Sequence, residues 1–221
     1  MEKDRSTKII AIAALLIGVV GLSLGFAAFS NTLTISSSAE VTPDQNKFNV
    51  DFSATNSGEV STAPVVATLS PTGVTGFSAT DGTIDNSGAP KITNLHATFT
   101  EPGQTATYSF YAKNIGEYIA YLKSITFANV SGESSTKVCT PGTGTTADLV
   151  NAACGDITLS IKVGDETVTT SSVASITNHS LAINAYDPII VTITYAAGGN
   201  VADGDFTVAF GDITLTYSSA D

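Results

Sequence analysis

The sequence predicts an all-β fold, a jelly-roll-like antiparallel β-sandwich preceded by one N-terminal apolar helix. Three observations lead there: a charge-free run near the start, apolar residues that later alternate with period two between turn signals, and a composition of Thr, Ser, Gly, Ala and Val with no Trp and one Met. Such residues suit short strands and turns better than long helices, so no helix is expected past residue 40. Disorder, the rival reading of a Ser/Thr/Gly-rich chain, does not fit the regular alternation, which lets buried faces form.

Residues 1–8 form a cytoplasmic basic flank, with Lys3, Arg5 and Lys8 opposed by Glu2 and Asp4. Residues 9–30 are a signal peptide or a membrane-anchor helix. Ile9 to Phe29 carries no charge, and as a helix this run would span about 31 Å, close to the thickness of a bilayer's hydrocarbon core. The basic side should stay in the cytoplasm and the remainder face outward. Small residues gather at the end of the run, so Ala27, Ala28 and Ser30 mark the candidate cleavage region. No Cys lies at the end of the run, so N-terminal lipidation is not expected. Tyr217-Ser218-Ser219-Ala220-Asp221 offers no apolar tail, so any anchor is expected to be the N-terminal helix. Retention and cleavage both stay open at this point.

Residues 31–47 read as an N-terminal strand and linker, in which Thr32, Leu33, Thr34 and Ile35 alternate. Such a strand either pairs as an edge of its own domain or adds to the sheet of a neighbouring copy as a donor strand.

Residues 48–221 make the sandwich. Phe48, Val50 and Phe52 share a face, as do Tyr108, Phe110 and Ala112; Ile157, Leu159, Ile161 and Val163; and Ile189, Val191, Ile193 and Tyr195. Asp81-Gly82, Ser87-Gly88, Pro102-Gly103, Gly164-Asp165, Gly198-Gly199-Asn200 and Asp203-Gly204 supply turns. Phe206, Val208 and Phe210 sit at even positions but Ile213, Leu215 and Tyr217 at odd ones, so a β-bulge is expected at Gly211-Asp212. The halves also echo each other. Ile92-Thr93-Asn94 and Ile176-Thr177-Asn178 open segments ending at Tyr111-Ala112 and Tyr195-Ala196, and Gly-Asp-Ile-Thr-Leu recurs at 155–159 and 211–215.

Charge and cysteine usage narrow the function. Beyond the apolar run, six Lys/Arg face eighteen Asp/Glu. Phosphate binding needs clustered Lys/Arg, so nucleic acid is not an expected partner. Cys139 and Cys154 flank Thr140-Pro141-Gly142-Thr143-Gly144, and a disulfide there fits an oxidising, extracytoplasmic compartment. Two buried free thiols are the alternative.

Catalysis finds little to work with. His96 and His179 are the only histidines and read as exposed strand residues. The chain has no HExxH pair. No catalytic, cofactor-binding or metal residue is assigned. Calcium is the one cofactor to weigh, at Asp81, Asp85 and Asn86 or at Asp203 and Asp205, although turns demand the same residues.

Residues 26–30, Phe26-Ala27-Ala28-Phe29-Ser30, and residues 92–122, through Asn94-Leu95, Pro102-Gly103-Gln104, Phe110, Asn114, Gly116, Ala120 and Leu122, resemble the TasA/camelysin family of Gram-positive surface and biofilm-matrix proteins. The resemblance covers about a quarter of the chain. It implies a jelly-roll-like sandwich that is exported and decorates the envelope or polymerises with copies of itself. Some members of that family are classed as metallopeptidases, but no zinc motif stands here to carry the activity over. The function expected is thus a non-enzymatic cell-surface or extracellular-matrix structural protein, held to the bacterial membrane by its N-terminal helix or secreted. The alternative is a membrane-tethered adhesin or carbohydrate-binding module, with Tyr111, Tyr118 and Tyr121 as its aromatic platform.

Overall fold

In the computed structural model, which describes residues 47–169 and 179–219, the alternating stretches are strands. The expected helix over 9–30, the cleavage region at Ala27, Ala28 and Ser30, and the strand Thr32–Ile35 lie outside the described residues. The strands in chain order are β1 (Val50–Ser53), β2 (Thr68–Ser70), β3 (Ser78–Ala79), β4 (Thr83–Asp85), β5 (Lys91–Thr93), β6 (His96–Phe99), β7 (Thr105–Asn114) and β8 (Ala120–Phe127). Then follow β9 (Lys137–Pro141), β10 (Ile157–Val163), β11 (Glu166–Thr169), β12 (Ser180–Leu181), β13 (Tyr186–Tyr195), β14 (Phe206–Phe210) and β15 (Ile213–Ser218).

Every named pairing is antiparallel. A six-stranded sheet runs β1-β7-β13-β10-β11, with β2 also on β7; a five-stranded sheet runs β12-β8-β15-β5-β4; a four-stranded sheet runs β3-β6-β14-β9. Period two decides what each strand buries. Along β7, Ala106, Tyr108, Phe110 and Ala112 point inward, and along β13, Ile189, Val191, Ile193 and Tyr195 do the same. One apolar cluster joins all three sheets. Tyr108 reaches out of the six-stranded sheet, and its hydroxyl donates to the Thr80 carbonyl (2.8 Å) beside that of His96 in β6 (3.3 Å). The fold is an antiparallel β-sandwich.

Two expectations need correction. The all-β reading omitted a helix, α1 (Ala147–Gly155), between β9 and β10. Val150 and Ala153, three residues apart, bury one side of it, and Asp148 in its first turn suits the helix dipole. It follows Thr146, whose carbonyl accepts from the Val150 N–H at 3.0 Å.

The second correction concerns Gly211-Asp212, which is no bulge in a continuous strand. Here the chain leaves the four-stranded sheet at Phe210 and enters the five-stranded sheet at Ile213, so both parity sets face the core. The Ala128 N–H donates to the Asp212 carbonyl (2.9 Å), and a Cβ on Gly211 would stand 1.9 Å from the Ala128 carbonyl oxygen. Only glycine fits so close a backbone crossing. The register shift of β15 falls later, between Thr216 and Tyr217.

The internal echo is partial. Ile157 and Ile213 each open a strand and are buried, but one strand lies in the six-stranded sheet and the other in the five-stranded sheet. Residues 176–178 lie outside the described residues, and the far ends of the longer echo, β7 and β13, pair directly.

Candidate functional site

The stretch that resembles a known family turns out to be scaffold. Pro102-Gly103-Gln104 and Asn114-Ile115-Gly116 bracket β7. Gln104 is fully buried; its Oε1 accepts from the Thr100 N–H (2.9 Å) and its Nε2 donates to Thr100 Oγ1 (2.7 Å), which locks the turn. Asn114 is equally buried. Its Nδ2 donates to the carbonyls of Tyr118 (2.7 Å) and Leu181 (3.0 Å), and its Oδ1 accepts from the Gly116 N–H (3.0 Å). These bonds satisfy a polar side chain that would otherwise be costly to bury. Leu95, Phe110, Ala120 and Leu122 are core.

The bend at Asn114–Gly116 also positions the start of the described chain. The Asn49 carbonyl accepts from the N–H groups of Ile115 and Gly116 (3.0 Å each), and the Lys47 carbonyl from that of Glu117 (2.7 Å). A Cβ on Gly116 would come within 2.6 Å of Asn49 N, so glycine is needed for this approach.

From there β1 runs along the margin of the six-stranded sheet, and its outer side carries the candidate site. Asn86 plugs one position: its Oδ1 accepts from the Phe52 N–H (2.8 Å) and its Nδ2 donates to the Phe52 carbonyl (2.9 Å). A carboxamide thus takes the place of one residue of a neighbouring strand. Because antiparallel bonding alternates, Val50 turns its backbone groups to the same outer side as Phe52. A cleft of about 200 Å³ opens there, lined by Phe48, Val50, Ala89, Pro90, Leu215 and Tyr217 among others. The walls mix apolar side chains with polar atoms of Asn49 and Thr216, and the rim carries an unplugged length of strand edge.

Tyr217 adds the one polar irregularity. Among the described residues its hydroxyl is the buried side-chain polar atom with no hydrogen-bond partner. Burial, and after it the Asp187 carboxylate, push the phenol far above its ordinary range. A buried unpaired hydroxyl costs about 1–3 kcal/mol. Tyr217→Phe is therefore expected to stabilise the isolated chain by about 1 kcal/mol, read as a higher denaturant midpoint with an unchanged slope. A drop in the midpoint would mean that the hydroxyl is bonded in solution.

The sequence-predicted groups are distributed as follows. Cys139 of β9 and Cys154 of α1 are joined as a disulfide, with Cα atoms 6.1 Å apart. Lys137 supports the same joint, its Nζ donating to the carbonyls of Cys154 (2.5 Å) and Ile157 (2.7 Å). Burial lowers its pKa from the ordinary lysine value, with Asp156 acting against that. The helix C-terminus, whose last carbonyls lack intrahelical donors, thereby gains a cation.

His179 is not an exposed strand residue: it is mostly buried, and its Nε2 bonds Asp187 Oδ2 at the end of β13. His96 is half-buried on β6. The acidic turns are committed locally. Asp85 Oδ1 accepts from the Ser87 N–H (2.9 Å) and Oγ (2.6 Å), and Lys91 pairs with its other oxygen (3.3 Å). The bonds from Ser87, then Lys91, hold its carboxyl down at about 2. Asn86 serves β1, and Asp203 occupies a turn with φ of 57°. No group of three or more His, Cys, Asp or Glu among the described residues is placed to hold a metal ion.

The three tyrosines do not share one surface. Tyr111 lies on β7 of the six-stranded sheet, edge-on to Tyr186 at 6.3 Å, whereas Tyr121 lies on β8 of the five-stranded sheet with Lys123 over its ring at 5.6 Å. Tyr118 sits in the bend between those strands.

Fold and site together define an antiparallel β-sandwich with a disulfide-tied helix and a small cleft along one strand edge. No protein-family model matches the chain, and comparison with curated proteins and with solved structures gives no match.

Proposed function

We propose that this chain is a non-enzymatic structural protein of the bacterial cell surface or extracellular matrix. In this reading it is a jelly-roll-like sandwich exported behind its N-terminal apolar helix, and it assembles with copies of itself. The observation that carries the proposal is the cleft beside β1. An extended strand laid there would meet the outward backbone groups of Val50 at the rim of the cleft. Main-chain hydrogen bonds give such an addition its affinity, and the pocket gives it its register. The alternating segment Thr32-Leu33-Thr34-Ile35 of another copy has the pattern required. The disulfide supports an oxidising destination, and the acidic excess keeps the free chains apart by mutual repulsion.

Deleting Asn31–Ser38 is expected to abolish fibres while leaving a soluble, folded sandwich, and Ala89→Trp, which fills the cleft from its exposed rim, is expected to do the same. Electron microscopy of protein recovered from cells, with mass spectrometry of its N-terminus, checks both. Fibres from either variant would remove the donor-strand step. Soluble protein confined to the cytoplasm would remove the proposal.

A further inference from the structure

Six large apolar side chains are exposed among the described residues, and three of them lie on two adjoining loops. Ile115, Ile119 and Ile183 are 41%, 45% and 46% exposed, whereas Val66, Ile190 and Val201 lie apart. The loops carrying Ile115, Ile119 and Ile183 are bonded to each other. The Asn184 N–H donates to the Asn114 carbonyl (2.9 Å), the Asn114 N–H to the Ala185 carbonyl (3.2 Å), and the Asn114 side chain to the carbonyls of Tyr118 and Leu181. The register of β13 on β7, from Tyr186 opposite Lys113 to Thr194 opposite Thr105, puts these loops at one end of the sandwich and Val201 at the other.

The described chain starts at this same end, where Lys47 and Asn49 bond the 115–117 bend. In the sequence, seventeen residues, 30–46, separate Lys47 from the charge-free run Ile9–Phe29. They span at most about 60 Å. A domain held on so short a tether meets the bilayer at an effective concentration on the order of millimolar, so a small apolar patch is enough to dock it. Charge at this end is of both signs: Lys47 and Glu117 pair at 2.8 Å, Lys113 bonds the Gly58 carbonyl, and Asp165 and Asp187 lie on the adjoining turn and strand.

From this we infer that the end bearing Ile115, Ile119 and Ile183 is a lipid-docking surface that inserts its isoleucines into the interfacial region of the bilayer anchoring the chain. The inference rests on the reading of residues 9–29 as membrane-embedded. Contact is apolar rather than ionic, because the acidic excess would repel anionic headgroups. Zwitterionic lipid is therefore the preferred surface.

The test uses the full chain in phosphatidylcholine vesicles containing nitroxide-labelled lipid. One variant, Ile119→Cys, carries an environment-sensitive fluorophore, and a second carries it at Val201→Cys. The probe at 119 is expected to be quenched and blue-shifted, and the probe at 201 to behave as in water. Adding Ile115→Ser and Ile183→Ser to the labelled Ile119→Cys chain should lower the docked-to-free ratio at least about tenfold, since two of the three side chains lose their transfer into lipid. An unchanged thermal midpoint separates this from misfolding, since all three sites are exposed. Equal signals at 119 and 201 in a chain that floats with the vesicles would overturn the inference alone. Crosslinking between copies through position 119 without quenching would assign the patch to self-association and overturn it equally. A chain that does not float with vesicles at all would remove both the anchor and the docking surface.

Discussion

Phe99→Ala is expected to destabilise the sandwich by about 3–5 kcal/mol, the range for emptying a well-packed aromatic site. Phe99 on β6 is wholly buried and stacks on Phe77 at 5.6 Å; Tyr195 meets it edge-on at 5.8 Å, and Phe206 lies tilted to it at 6.4 Å. Tyr195 belongs to the six-stranded sheet, while Phe99 and Phe206 belong to the four-stranded sheet, so the ring is a bolt between layers. Neighbouring backbone cannot close the gap, since β6 is fixed in register by β3 on one side and β14 on the other. Domains have total stabilities of about 5–15 kcal/mol, so this loss removes a large share. Denaturation followed by circular dichroism should show a lower midpoint with an unchanged slope. Val66→Ala, at a side chain 69% exposed, should stay within about 0.5 kcal/mol. A Phe99→Ala cost below about 1.5 kcal/mol would mean that the aromatic cluster is not packed in solution.

That ring could be placed from sequence only in part. The faces of β7, β10 and β13 were legible because period two leaves one set of residues to bury, and those residues are buried. Which sheet each strand joins was not legible. Phe206–Phe210 and Ile213–Ser218 follow one another almost directly, and the parity change between them fits either a bulge or a crossing. The contact of Gly211 with Ala128, eighty-three positions away, decides for the crossing. Helix α1 escaped because it is short and flanked by Thr and Gly that read as loop. The tyrosines were expected together because they are close in sequence, yet the bend at Asn114–Gly116 sends β7 and β8 to different sheets.

The candidate site was the least legible part. Its cleft is assembled from Phe48–Val50, Gly88–Pro90 and Leu215–Tyr217, three segments with no shared motif. Asn86 signalled a turn, whereas its side chain closes the edge of β1. His179 and Asp187 are eight residues apart with β12 between them, too far for local spacing to announce a pair. The buried roles of Gln104 and Asn114 follow the same logic: turn residues were visible, their inward bonds were not.

Opening the Cys139–Cys154 bridge is expected to cost about 3 kcal/mol, because it ties a loop of about fifteen residues whose freedom the unfolded chain would regain. The effect should be uneven across the molecule. β9 is an edge strand held by β14 alone, and α1 touches the body through Val150 and Ala153, so both depend on the bridge more than the central strands do. Lys137 partly compensates, since its two bonds to the Cys154 and Ile157 carbonyls span the same joint. Cys139→Ala with Cys154→Ala should therefore lower the midpoint and raise hydrogen exchange over residues 137–157, while β7 and β13 stay protected. Adding Lys137→Met should cost more in the bridge-free chain than in the bridged one, because two ties of one joint are not independent. Equal costs in the two backgrounds would show that Lys137 and the disulfide act separately. An unchanged midpoint on reduction would remove the bridge from the stability of the fold and, with it, the reason for an oxidising destination.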